Sequence, residues 1–270
     1  MNTNPSHREV FEQYMEMTDV LEMLNEYYKF TLLHDSILAL SYLTDDRGIS
    51  IEMIDKFALG YAPPPDRVEK FASLNAISID VIRSAGAVSE KLMDRITFPL
   101  FDLEGRIMGF SARVWPPTDT TRPKYYNSAA SPTFWKSLTL YGLYQALDSI
   151  KKDNFALVVE GNLDVIQLHA NDLTHAVAPC GTALTKEQLL MLVRLTDRII
   201  FCFDADTAGI NATAKVKKLC EESNVTFMSF SLDGAKDPDE LIRLYGAQPI
   251  IDTIKGLLRD YNKGREKSGR

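Results

Sequence analysis

The sequence predicts an α/β protein: a mixed N-terminal part of helices and short strands, then a parallel-type sheet flanked by helices, then a short helical C-terminal segment. Three observations carry this. Apolar positions recur at three- and four-residue steps over residues 8–45. Short apolar runs flank a turn-type segment between residues 96 and 112. From residue 155, strand-like and helix-like runs alternate, the signature of right-handed βαβ units. A chain of 270 residues is long enough for two domains. The expected divisions are 1–152, a 153–245 domain, and a 246–270 helical segment ending in a basic tail.

Taken in order, Val10, Tyr14, Met17, Leu21, Leu24 and Tyr28 form one face of the first helix, with glutamates between them. A second helical stretch over 50–57 follows the Arg47-Gly48 break, with Ser50 as its N-cap. The Ala62-Pro63-Pro64-Pro65 tract reads as a rigid connector at a hinge or subdomain boundary. Residues 96–101 and 107–112 flank Asp102-Leu103-Glu104-Gly105, which predicts a hairpin. A loop over 116–123 leads into Lys124-Tyr125-Tyr126-Asn127. Strands are then predicted over 155–159, 175–178, 198–203 and 225–230, and helices over 163–170, 186–195, 208–221 and after Pro238. Residues 261–270 read as a frayed basic tail.

Composition narrows the function. Hydrophobic residues make up 45% and charged residues 25%, a globular mix that excludes dominant disorder. No apolar run reaches the ~18 residues of a membrane span, and the polar first residues lack a secretory h-region. The expected location is the cytoplasm, with no membrane partner. Three scattered cysteines, Cys180, Cys202 and Cys220, give neither a disulfide framework nor a zinc knuckle. The four histidines show no metal-ligand spacing, and neither G-x-x-x-x-G-K-[ST] nor G-x-G-x-x-G occurs. The net charge of −7 hides an uneven distribution. Residues 1–60 hold eleven acids against four bases, whereas residues 105–136 hold five bases and one acid, Asp119. Such a patch can steer a polyanion, or it can be an ordinary solvated face.

In open α/β sheets, sites lie beyond the carboxyl ends of the strands. Glu160 ends the first predicted strand of the second domain, and Asp204 and Asp206 end the third. Asp237 and Asp239 follow the fourth. So many carboxylates on one rim repel one another unless a cation neutralises them, and a divalent ion with oxygen ligands fits phosphoryl chemistry. Each piece also has a local explanation. Asp237-Pro238-Asp239-Glu240 is a good helix start, Asp164 suits the first turn of its helix, and Thr185 with Gln188 reads as a capping box. Asp204-Ala205-Asp206-Thr207 also resembles the nucleophile loop of haloacid-dehalogenase-type phosphatases, in which it ends the first strand of the fold.

Together, Glu160 and Asp204/Asp206 resemble the hallmark acids of a Toprim domain, the metal-binding unit of bacterial primases, topoisomerases and some nucleases. More widely, residues 20–245 resemble the RNA polymerase core of DnaG-type primases. The matching stretches are residues 57–63, 94–99, 105–114 and 140–143, and Pro123-Lys124-Tyr125-Tyr126-Asn127-Ser128. With them go Val158-Val159-Glu160-Gly161-Asn162-Leu163-Asp164-Val165, Phe203-Asp204-Ala205-Asp206-Thr207-Ala208-Gly209 and Lys236-Asp237-Pro238-Asp239. The resemblance implies a DNA-directed RNA polymerase that makes short RNA primers on single-stranded DNA from ribonucleoside triphosphates. It implies that Glu160, Asp204, Asp206, Asp237 and Asp239 hold Mg²⁺ or Mn²⁺, two or more ions, with Asp164 in support. Glu160, Asp204 and Asp206 would be the catalytic acids. Arg95, Arg113, Lys124 and Lys136 would line a groove for template and nucleotide, with Asn127 in the same motif. Tyr125, Tyr126 and Trp135 interleave these bases and suit stacking or core packing. The family's cysteine-rich zinc module and its helicase-docking helical domain are missing from the pattern, which leaves a replicative-helicase partner open. A Toprim nuclease and a non-catalytic strand-binding module are the competing functions.

Overall fold

The computed structural model describes residues 6–181, 183–204 and 207–268. The chain divides into two compact units, Met1–Thr139 and Leu140–Arg270.

In the first unit, Ser6 opens helix α1 (His7–Phe30) with a capping box. Its hydroxyl accepts the Glu9 N–H at 3.2 Å, and the Glu9 carboxylate accepts the Ser6 N–H at 2.6 Å. Met17, Leu21, Leu24 and Tyr28 form the buried face of α1. The predicted single helix over 8–45 is instead segmented. A π-helical turn (Thr31–Asp35), helix α2 (Ile37–Ser41) and a second π-helical turn (Tyr42–Asp46) follow α1. In each π turn a threonine hydroxyl bonds back to a carbonyl four residues earlier, Thr31 to Tyr27 and Thr44 to Leu40, and such back-bonding bends helices. Ser50 caps α3 (Ile51–Lys56) by accepting the Met53 N–H.

The proline tract is not a boundary. Strand β1 (Gly60–Ala62) pairs with β2 (Arg95–Phe101), Ala62 opposite Arg95, and Pro65 takes the first turn of α4 (Pro65–Leu74), where its missing N–H costs nothing. Helix α5 (Ile79–Ser84) follows. The predicted hairpin joins β2 to β3 (Ile107–Val114), its turn tied by Asp102 Oδ1, which accepts the Glu104 and Arg106 N–H groups at 3.0 and 2.8 Å. The Lys124–Asn127 segment adds an edge strand, β4 (Tyr125–Asn127), to complete an antiparallel sheet of order β1-β2-β3-β4.

The second unit opens with β5 (Leu140–Tyr141) and α6 (Leu143–Asp153). The alternation expected from the sequence then runs through β6 (Ala156–Val158), α7 (Asn162–Ala170), β7 (Ala176–Pro179), α8 (Lys186–Val193), β8 (Ile199–Cys202), α9 (Thr207–Glu222), β9 (Phe227–Phe230) and α10 (Pro238–Tyr245). The order is β5-β7-β6-β8-β9, parallel throughout except for β5, which runs antiparallel against β7. Leu140, Leu143, Ala146 and Ile150 pack with Ala156, Val158, Ile199 and Phe201 in one core. The second unit therefore begins at Leu140, ahead of the 152/153 division expected from the sequence. Gly142 makes the tight corner between β5 and α6. Its φ is +78°, and a Cβ there would lie 2.6 Å from Val165 Cγ1. Residues 261–268, read as a frayed tail, continue α11 (Gln248–Ser268).

Candidate metal centre and basic face

In the second unit β6 is flanked by β7 on one side and β8 on the other, so the connections leaving β6 and β8 diverge, which makes a topological switch point. Glu160 lies just beyond β6 and Asp204 just beyond β8. The two touch: the Asp204 N–H donates to Glu160 Oε1 at 3.0 Å. Asp164, in the first turn of α7, is buried and uses both oxygens as acceptors. Oδ2 takes the Gly161 N–H at 3.0 Å, and Oδ1 takes the Asp239 N–H at 3.1 Å. One carboxylate thus ties the start of α7 to the start of α10. Asp237 is the N-cap of α10 and accepts the Glu240 N–H at 2.8 Å, while Asp239 is 2% exposed and accepts from Arg243 at 3.2 Å.

These acids share one electrostatic neighbourhood. Burial pushes the Asp164 carboxyl well above the usual range; the charges of Asp237, Asp204 and Asp239 push the same way, against the stabilising Asp239 N–H. Burial likewise raises the Cys202 thiol, with Asp164, Asp204 and Glu160 adding to the effect. Gly209, in the first turn of α9, lets that helix begin against the site: a Cβ there would fall 2.0 Å from the Asp204 carbonyl oxygen. Asp206 lies outside the described residues. Among the described residues no three carboxylates, histidines or cysteines stand in a metal-ligating group.

In the first unit the predicted cations separate. Arg95 does not line a groove. It is 1% exposed, and its Nη1 donates to the carbonyls of Pro123 at 2.9 Å and Ala112 at 3.5 Å. Its neighbour Arg122 donates to Trp115 O at 2.9 Å and pairs with Asp119 at 2.8 Å. These two arginines fasten both ends of the loop predicted over 116–123. Burial depresses the Arg95 guanidinium, and the charge of Arg122 adds to that. Lys124 is exposed at the end of this loop, with Nζ 6.0 Å from the centroid of the Tyr125 ring. Arg113, on β3, donates to the Tyr125 hydroxyl at 3.2 Å. Asn127, half-buried on β4, stands opposite Ser111. Lys136 is exposed in a short 3-10 turn beside the exposed Trp135. Sequence reasoning missed Tyr42 and Arg47, which join this face from the second π turn. Arg47 Nε donates to the Tyr42 hydroxyl at 2.8 Å.

Residues 27–147 match the family model described as DNA primase catalytic core, N-terminal domain, and residues 157–242 match the Toprim-like model. A solved structure of the DnaG primase catalytic domain bound to ssDNA superposes with a TM-score of 0.80 at 31% identity, over 91% of this chain and 80% of that one. The chain belongs to the DnaG-type primase catalytic-core family. Within that family, the structure of the zinc-binding and RNA polymerase domains of the Aquifex aeolicus primase gives a TM-score of 0.83 at 30% identity, covering 90% of this chain and 61% of that one. The DNA primase of Rickettsia felis is 34% identical over 253 residues, and that of Geobacillus stearothermophilus 36% over 243. Those matches cover 89% and 86% of this chain, but the chain spans only 41% and 40% of the two primases. No helix among the described residues is long and apolar enough to cross a membrane.

Proposed function

We propose that the chain is the polymerising core of a primase, extending short RNA primers along single-stranded DNA from ribonucleoside triphosphates. The observation that carries this reading is the acid rim at the β6–β8 switch point, which falls inside the Toprim-like match of a chain whose other unit matches the primase core. The donor chemistry fits a hard divalent cation. Every candidate ligand is a carboxylate oxygen, and the charge gathered around Asp164 is what a cation would offset. Glu160, Asp204, Asp206, Asp237 and Asp239 would hold Mg²⁺ or Mn²⁺, two or more ions, with Asp164 fixing the backbone of Asp239. Such ions, when bound, stabilise charge on the attacking and leaving oxygens of an in-line displacement.

The reaction is attack of a strand 3′-hydroxyl on the α-phosphate of the next nucleotide, with pyrophosphate leaving. Glu160 is assigned to accept the hydroxyl proton, since its carboxylate is held at the rim by the Asp204 N–H. Arg113, Lys124 and Lys136, with Asn127 alongside, are assigned to phosphate contacts, which position a strand without reading its sequence.

The test is extension of a short RNA primer annealed to single-stranded DNA, with labelled ribonucleotides and Mg²⁺ or Mn²⁺. Products growing by single ribonucleotides, lost in an Asp204→Ala chain that melts like wild type, are expected. Wild-type extension by Asp204→Ala with Mg²⁺ as the only added metal would overturn the metal centre. Strand shortening without nucleotides would replace the polymerase by a nuclease.

A further inference from the structure

On the first unit's basic face, cations and aromatic rings alternate. The Arg113 guanidinium lies 5.5 Å from the centroid of the Tyr125 ring and 5.7 Å from that of Tyr42. Arg47 lies 5.1 Å from the same Tyr42 centroid, and Lys124 stands over Tyr125. Trp115 packs on Tyr42, centroid to centroid 5.2 Å at 51°.

Arg113 is the unusual member. It is only 7% exposed, yet among the described residues no carboxylate pairs with it, and its Nε is buried without a hydrogen-bond acceptor. Taking a guanidinium out of water is expensive unless something opposite in sign receives it. Here the Tyr125 hydroxyl, at 3.2 Å from Nη1, and the negative faces of the Tyr42 and Tyr125 rings do so. The difference from a salt bridge matters for function. A carboxylate would cancel the charge, whereas a ring holds the guanidinium in place and leaves the charge for an arriving anion. Tyr42 is itself buried and begins a π-helical turn, a local irregularity that recurs at functional sites and that here brings its ring to Arg113.

We propose that Tyr42 is a positioning residue: with Tyr125 it holds Arg113 in place and un-neutralised, so that the guanidinium is preset for a phosphate. This rests on the reading of the β3–β4 face as a phosphate-binding face.

The experiment uses the full chain and a fluorescently labelled oligothymidylate, with anisotropy titrations across a salt series. Thermal melting first establishes that each variant is folded. Arg113→Gln is expected to weaken binding and to make the dependence of log Kd on log salt shallower by about 0.7, the contribution of one single-strand phosphate contact. Tyr42→Leu should weaken binding about tenfold, the scale of one desolvated cation–π contact, with the salt slope unchanged. Tyr42→Phe, which keeps the ring, should recover most of that loss. The double variant Tyr42→Leu/Arg113→Gln should bind no worse than Arg113→Gln alone.

A Tyr42→Leu loss that adds in full to that of Arg113→Gln would overturn the clamp and leave the phosphate-binding face standing. Wild-type affinity and slope in Arg113→Gln would overturn the phosphate-binding face and the clamp with it. If Tyr42→Leu does not fold, Tyr125→Leu, on the other side of the guanidinium, must show the same non-additivity, and additivity there overturns the clamp. Repeating the titrations with a fluorescent ribonucleoside triphosphate separates strand phosphates from nucleotide phosphates. Coupling to either ligand supports the clamp, and coupling to neither overturns it.

Discussion

Gly209 lets α9 begin hard against the backbone of Asp204. In an ordinary helix an alanine would be better than glycine by about 1 kcal/mol. At this position its Cβ would sit 2.0 Å from the Asp204 carbonyl oxygen, a backbone atom rather than the end of a flexible side chain. Overpacking of this kind costs about 1–3 kcal/mol and is relieved by backbone movement, so the clash outweighs the propensity gain. Gly209→Ala should therefore lower the melting temperature and, because the backbone that moves carries Asp204, reduce primer extension by more than the loss of folded protein explains. Extension at the wild-type rate per folded molecule would show that the acid rim does not depend on this contact. At this scale the placement of Glu160 and Asp204 just beyond β6 and β8 was legible, because a carboxylate that follows an apolar strand run emerges at the rim of a parallel sheet. Arg95 was not. Whether an arginine on a strand points to solvent or takes carbonyls beneath a loop depends on where Pro123 returns, and no local pattern of residues 94–99 carries that information. Tyr42 escaped notice for a related reason: its role lies in a ring-to-guanidinium contact with a residue 71 positions along the chain.

The start of α10 shows how one short element serves two purposes. Asp237 caps the helix through the Glu240 N–H, Lys236 N–H is taken by Glu240, and Asp239 is fixed from below by Asp164 and from the side by Arg243. The sequence offered capping and metal binding as rival readings of Asp237-Pro238-Asp239-Glu240. The geometry establishes the cap, and the proposed centre needs the charge as well. Serine separates the two, since it caps about as well as aspartate but carries no charge. Asp237→Ser should keep the wild-type melting temperature and lose at least about tenfold in extension, the scale of one charge-assisted contact. Asp237→Ala should lose both, with about 1 kcal/mol of stability. Full activity in Asp237→Ser would reduce this aspartate to a cap. Long periodic elements were read well: α1, the β2–β3 hairpin and the β6-to-α10 alternation all carry their own pattern. What was missed includes the regular helices α4 and α6, and otherwise is short or bent. The two-residue β5 has no periodicity to detect, and the π turns interrupt a helix whose apolar spacing continues through them.

Across the whole chain, the division into units carries a sharper consequence than the charge distribution. A boundary at 152/153 makes β5 and α6 the end of the first unit, whereas the structure makes them the beginning of the second. The difference amounts to Leu140, Leu143, Ala146 and Ile150, all buried in the core of the five-stranded sheet. Full burial of a leucine or isoleucine stabilises by about 1.5–3 kcal/mol, so the three large side chains together are worth roughly 5–9 kcal/mol. Whole domains have only about 5–15 kcal/mol to lose. A fragment beginning at residue 153 would also expose the β7 edge that β5 covers, with Leu140 and Tyr141 no longer opposite Pro179 and Ala178. An unpaired edge of that kind invites association. The fragment 140–270 should therefore melt cooperatively as a monomer, and the fragment 153–270 should be unfolded or aggregated under the same conditions. Circular dichroism melts with sedimentation analysis of the two fragments decide it. Equal cooperative melting would mean that β5 and α6 decorate the sheet, while failure of both would mean that the unit is stable only within the whole chain.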